Sequence, residues 1–167
     1  MPETLDWVYY DSVSSGVTAS ADIVFFAQSE SGTNKQTTNM PVIGKLSESE
    51  EMLIKEIGIY VETDTEFQDA TKIYERAVAE FLINNNRVLI APLFLFAPPQ
   101  HIWLDTPTLD QGALTSVGGM VGTAFILKNP IKLVMGSSFK LVVRVGETQA
   151  AVASDLKAYI RGLLTRK

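Results

Sequence analysis

The stretch Gly122–Glu147, GTAFILKNPIKLVMGSSFKLVVRVGE, decides the fold class. It holds three apolar runs, cut by Asn129-Pro130 and by Gly136-Ser137-Ser138. In the last run Phe139, Leu141, Val143 and Val145 alternate with Lys140, Val142 and Arg144, the period of two that marks a strand with one buried face. The Gly-Ser-Ser break offers a positive φ and local hydrogen bonding, which predicts a tight hairpin there. A paired, twisted β-layer is expected at the centre of the fold.

The segments before it read mostly as short strands. Leu5–Tyr10 is aromatic and β-prone, and Ala21–Ala27 reads as a second strand. Thr38–Leu46 carries Pro41 and predicts an edge strand, because proline cannot donate to a ladder on both sides. From Met52 to Thr63, Leu53, Lys55, Ile57, Ile59 and Val61 share one face; Lys55 interrupts it, so burial is expected to begin near Ile57. Phe67, Ala70, Tyr74, Ala77, Val78 and Phe81 then recur at helical spacing behind a Thr63-x-x-Glu66 capping box. The favoured reading is a helix over about Thr65–Arg76, then a hairpin turning at Asn84-Asn85-Asn86; a single helix to Leu82 is the alternative. Arg87–Phe96 is apolar on both faces and suits a strand covered on both sides.

Gln100–Val121 is rich in Gly and Pro and reads as a long loop, a type that is usually functional or packed on a neighbour. At the end of the chain Val152, Leu156, Tyr159, Ile160 and Leu163 form a stripe that predicts a C-terminal helix over 148–167, weakened by Gly162. The whole is expected to be one domain over 1–167, mainly β: an antiparallel two-sheet sandwich of jelly-roll type with one internal and one C-terminal helix.

Composition narrows function. A net charge of −5 argues against a chain that coats nucleic acid, where clustered Lys and Arg would be needed. The absence of cysteine excludes disulfides and thiolate metal sites and fits synthesis in a reducing cytosol. No apolar run is long enough to span a bilayer, and the N-terminus lacks the basic and apolar regions of a secretory signal. His101 is the only histidine, so a cupin-type metal centre or a two-His-one-carboxylate iron site cannot be assembled within one chain. No G-x-S-x-G elbow exists for His101 to serve as base, and it is read as structural or surface. Asp105 and Asp110 are turn residues rather than calcium ligands, since no D-x-D-x-D-G run surrounds them. Glu48, Glu50 and Glu51 are read as a solvated acidic loop, and Gly118–Gly122 as a flexible stretch, not a phosphate cradle. Lys157, Arg161, Arg166 and Lys167 either meet a phosphate-rich surface or favour a helix C-terminus. No catalytic residue, cofactor or metal is expected.

The order of features resembles the single jelly-roll major capsid proteins of tailless icosahedral double-stranded DNA viruses with an internal membrane, the group that includes Thermus bacteriophages and haloarchaeal viruses. The resemblance lies in an N-terminal strand pair, the strand MLIKEIGIYVETD, the segment FLINNNRVLIAPLFLFAPP, a Gly-rich loop and the closing AFILKNPIKLVMGSSFKLVVRV. It implies a structural virion protein, made in the host cytoplasm, that forms homodimers and packs with a second, larger capsid protein. Contact of the basic C-terminus with an internal membrane would follow, and no specific nucleic acid. Interface candidates are His101, Trp103, Leu109 and Met120 on the long loop and Tyr159 and Arg161 on the terminal helix, with Trp103 equally readable as core. The rival reading is a jelly-roll module that binds carbohydrate or a host receptor, as in a virion spike, with Trp7, Tyr9, Tyr10 and Trp103 as candidate platform residues.

Overall fold

The structure is a computed structural model that describes residues 2–13, 22–27, 37–61, 73–97, 101–105, 116–120, 125–146 and 155–167. Ten strands are seen among these residues: β1 (Glu3–Val13), β2 (Asp22–Phe25), β3 (Glu50–Val61), β4 (Ala77–Ile83), β5 (Asn86–Pro92), β6 (His101–Asp105), β7 (Ser116–Met120), β8 (Phe125–Leu133), β9 (Phe139–Val145) and β10 (Leu156–Arg166). Eight of them form two four-stranded antiparallel sheets. The first has the order β1-β10-β3-β8 and the second β2-β9-β4-β5, while β6 and β7 pair only with each other.

The pairing is nested. β1 pairs with β10, β2 with β9, β3 with β8 and β4 with β5, so these strands form one long ribbon folded back on itself. Rolling that ribbon adds the contacts of β10 with β3 and of β9 with β4. The inward residues of both sheets, among them Phe25, Ile54, Ile57, Ile59, Phe81, Leu141 and Ile160, join in one buried core. Burying such side chains contributes roughly 1.5–3 kcal/mol each, the main term favouring the fold.

Several expectations hold in detail. β1 and β2 lie where the sequence puts them, and β9 buries Phe139, Leu141, Val143 and Val145. Residues 73–76 are helical; the rest of the stretch expected as helix, 65–72, and the capping box at Thr63 and Glu66 lie outside the described residues. β4 begins at Ala77, so the hairpin reading is the one observed and the helix to Leu82 is not. Asn84 and Asn85 take φ of 50° and 62°, the left-handed pair of a two-residue hairpin turn.

Other expectations are corrected. The C-terminal segment is not helical over 156–166: it is strand β10, paired on one side with β1 and on the other with β3. Leu156, Ala158, Ile160, Gly162 and Leu164 turn inward, a period of two disguised by its two small members. The Gly136 turn has the expected positive φ of 76°, yet it closes no hairpin, since β8 and β9 belong to different sheets and the turn carries the chain between them. Residues 38–46 form only isolated bridges, not a strand. Their service to β1 comes from Asn39, whose side chain donates to Val8 O and accepts from Tyr10 N, both at 2.8 Å, covering the exposed sheet edge. β5 is not covered on both faces: it is an edge strand with Val88 and Ile90 half exposed, and a short 3-10 turn, Leu93–Phe96, replaces its expected continuation. Within the expected 100–121 loop, residues 101–105 and 116–120 are strands.

Candidate functional site

The outward positions of the second sheet form the first candidate surface. Across its four strands run the rows Val24, Val142, Glu80, Ile90 and Asp22, Arg144, Val78, Pro92, with Lys140, Leu82 and Arg87 beyond. A solvated sheet face normally alternates to polar residues; here about half the outward positions are apolar. Four of its five charges pair with one another, and Lys140 has no carboxylate within ion-pair distance among the described residues. Arg144 Nη1 lies 2.7 Å from Asp22 Oδ2, Arg144 Nε lies 3.2 Å from Glu80 Oε1, and Arg87 Nη1 reaches the same oxygen at 3.4 Å. Glu80 first, then Asp22, holds the Arg144 guanidinium above its usual range. The result is an ion-paired, half-apolar face edged by exposed Val88 and Ile90.

A pocket of 250 Å³ opens where this face meets the turns at 42–45, 84–85 and 136–138. Phe26, Ile43, Leu82 and Phe139 give it apolar walls; Asn85, Ser138 and Lys140 are its polar lining. Three of its lining residues have left-handed backbones: Phe26 at 63°, Gly44 at 55° and Asn85 at 62°. For a bulky residue such as phenylalanine this conformation costs about 1–3 kcal/mol and persists only where neighbours enforce it. They do so here. The buried carboxylate of Asp11 accepts the Phe26 amide at 2.5 Å, the Phe26 ring packs 5.5 Å from that of Phe139, and Phe139 N donates to Gly44 O at 2.7 Å. The sequence marks Asn85, Ser138, Phe139 and Lys140 only as turn and strand residues and none of the lining as a binding residue, because the pocket's parts come from β2, β4, β9 and three turns.

The first sheet gathers the basic C-terminus on both sides. Arg166 is on the inward register of β10, at the rim of the core with Tyr9 and Glu50, while Lys157, Tyr159 and Arg161 are on the outer face, the more polar one. Arg166 Nε donates to Glu50 Oε1 at 3.0 Å, and Tyr9 donates to Glu50 Oε2 at 3.1 Å, so Glu50 is a buried anchor rather than part of a solvated loop. Burial pushes the Glu50 carboxyl up, but the hydrogen bonds from Arg166, Tyr9 and Ser47 outweigh it and hold it below the usual carboxylate range. Lys167 Nζ and Lys132 Nζ lie 2.6 and 3.3 Å from Glu51. Arg161 stands 3.8 Å from Glu56, which also accepts the Tyr159 hydroxyl at 2.6 Å, and Lys157 lies over the Tyr60 ring. The helix-terminus explanation for these cations falls with the helix; they are paired across strands.

Of the interface candidates, Tyr159 and Arg161 are brought together on this face beside Asp6, Val8 and Glu56. His101 and Met120 are register partners in the β6–β7 hairpin, as are Trp103 and Gly118, while Leu109 and Asp110 lie outside the described residues. Trp7 and Tyr9 face the core, Tyr9 being 2% exposed. Among the described residues no cluster of three or more His, Cys, Asp or Glu could hold a metal. Comparison with protein-family models, curated proteins and solved structures gave no match for this chain.

Proposed function

We propose that the chain is a structural virion protein, a single jelly-roll capsid subunit that self-associates and packs with a second, larger shell protein in an icosahedral shell. The observation that carries this reading is the nested pairing of β1/β10, β2/β9, β3/β8 and β4/β5 across two four-stranded sheets, the winding expected of a jelly roll. Jelly rolls serve as shell, lectin and enzyme scaffolds, so the surface must choose among them. The second sheet's outward face favours a shell role: Arg87 and Arg144 are paired with Glu80 and Asp22, so copies carrying −5 each can meet there with little like charge opposed, and Val88 and Ile90 offer apolar contact. Burial of Tyr9 and the inward packing of Trp7 remove two of the aromatics on which the carbohydrate-binding reading drew. The proposal does not lean on the basic C-terminus for membrane contact, because Arg161, Arg166 and Lys167 are matched by Glu56, Glu50 and Glu51.

Light scattering of the purified chain over a range of concentration and salt, with electron micrographs of any heavy fraction, tests the reading. Dimers that build sheets, rings or shells, alone or with a co-purified larger shell protein, support it. A chain that stays monomeric under all these conditions while binding glycans selectively would replace it with the attachment-module reading.

A further inference from the structure

We infer that the pocket between β2, β4, β9 and the three adjoining turns is a binding site for a small amphipathic anion, an apolar body carrying one carboxylate. Two independent features point to such a ligand. The walls are apolar, formed by Phe26, Ile43, Leu82 and Phe139, with Ile43 57% exposed at the rim. At 250 Å³ the space is somewhat below the roughly 300–1,000 Å³ of sites for drug-sized molecules, which sets the ligand at fragment size. The polar lining has one sign. Among the described residues Lys140 is the only charged residue of the lining, no carboxylate lies within ion-pair distance of it, and no Asp or Glu lines the pocket.

Arg87, Lys132, Arg144, Arg161, Arg166 and Lys167 each have a carboxylate, whereas Lys140, like Lys45, Lys55 and Lys128, has none within ion-pair distance among the described residues; of these four lysines Lys140 is the one that lines the pocket. A cation left without a partner beside an apolar hollow is complementary to an anion with an apolar tail. Asn85, held in the turn with φ of 62°, also lines the pocket and carries an amide that can donate. One cation and one amide suit a monoanion; a phosphate would draw several cations. The enforced left-handed backbone at Phe26 keeps the aromatic wall in place before a ligand arrives, as strained residues at ligand clamps do.

The test is a titration of the intact chain with sodium octanoate, followed by calorimetry and by amide chemical shifts. Saturable binding with the largest shifts at Val24, Leu82, Phe139 and Lys140 is expected. Lys140→Met should weaken it at least about tenfold, as loss of a charge-assisted hydrogen bond does, and 1-octanol should bind the wild type more weakly by a similar factor. Leu82→Trp, which fills the hollow, should abolish binding. Should Lys140→Met not fold, Lys140→Gln gives the same comparison. Octanoate that fails to saturate, shifts that centre elsewhere, or equal affinity for octanol and octanoate would each overturn the assignment.

Discussion

Gly162 on β10 lies so close to the backbone carbonyl of Leu53 on β3 that a β-carbon at position 162 would overlap the oxygen. The contact sits at a β-bulge. The pairing of β10 with β3 shifts between Arg161 and Gly162, and that of β3 with β8 shifts between Ile54 and Glu56, leaving Lys55 without a partner on either side. The extra residue resets the phase of β3, so that Met52 and Ile54 face the core before it and Ile57, Ile59 and Val61 after it. Lys55 thus interrupts the apolar face because it is the bulge residue.

Gly162→Ala is therefore expected to destabilise the fold by about 1–3 kcal/mol, the usual range for forcing atoms into filled space. The check is the midpoint of urea unfolding at unchanged slope. Gly136→Ala is the comparison: its β-carbon would meet nothing within 4 Å, so only the strain of its positive φ, about 1–2 kcal/mol, should appear. A Gly162→Ala midpoint equal to that of the wild type would show that the close approach is dispensable.

Acid should act through Glu50. Its folded pKa is depressed by Arg166, Tyr9 and Ser47 against the opposing effect of burial, so it stabilises the fold above its unfolded pKa of about 4.3. That contribution is lost as pH falls through the folded value. Wild-type stability should decline below about pH 4.3, and Glu50→Gln should be less stable at neutral pH and show a shallower acid limb. Parallel limbs in the two proteins would assign the acid sensitivity to other carboxylates.

Alkali should act through three tyrosines. Burial, joined by the charge of Glu50 at Tyr9 and by the hydrogen bond to Glu56 at Tyr159, raises the pKa of Tyr9, Tyr74 and Tyr159 well above the ordinary value. A raised folded pKa gives stability that is complete below the unfolded value of about 10 and is lost as pH climbs through the folded one. The phenolate absorbance of these residues is expected to rise together with loss of circular dichroism. Three single Tyr→Phe variants apportion the signal; phenolate appearing while the fold is intact would contradict the buried geometry.

How much of this was legible follows from where the periodicity was clean. β9 alternates large apolar residues with Lys140, Val142 and Arg144 and reads clearly, as do β1 and β2, whereas the hairpin at Asn84-Asn85 competes with a helix to Leu82 until β4 settles it. β10 does not, because LKAYIRGLLTR fits two periods at once. Leu156, Tyr159, Ile160 and Leu163 suit a helix, whereas Leu156, Ala158, Ile160, Gly162 and Leu164 suit a strand whose inward face includes two residues too small to register as apolar. Pairing with β1 and β3 on both sides decides in favour of the strand, and that is a long-range contact local propensity does not contain. The Glu50 anchor was hidden for the same reason, its partners Tyr9 and Arg166 lying 41 and 116 residues away.

Ile90 separates folding from assembly. Its side chain points outward from β5, 50% exposed, in the same row as Glu80 and Val142, and contributes little to the core. Ile90→Lys should therefore change unfolding stability by no more than about 0.5 kcal/mol, as expected for surface positions away from special features. On the shell reading the same change puts a desolvated cation into an apolar contact between copies, and association should fall by tenfold or more. Light scattering and thermal melting on one preparation measure both quantities. Assembly that survives in Ile90→Lys at wild-type concentration would remove this face from the interface and shift attention to the first sheet, where Tyr159 and Arg161 sit.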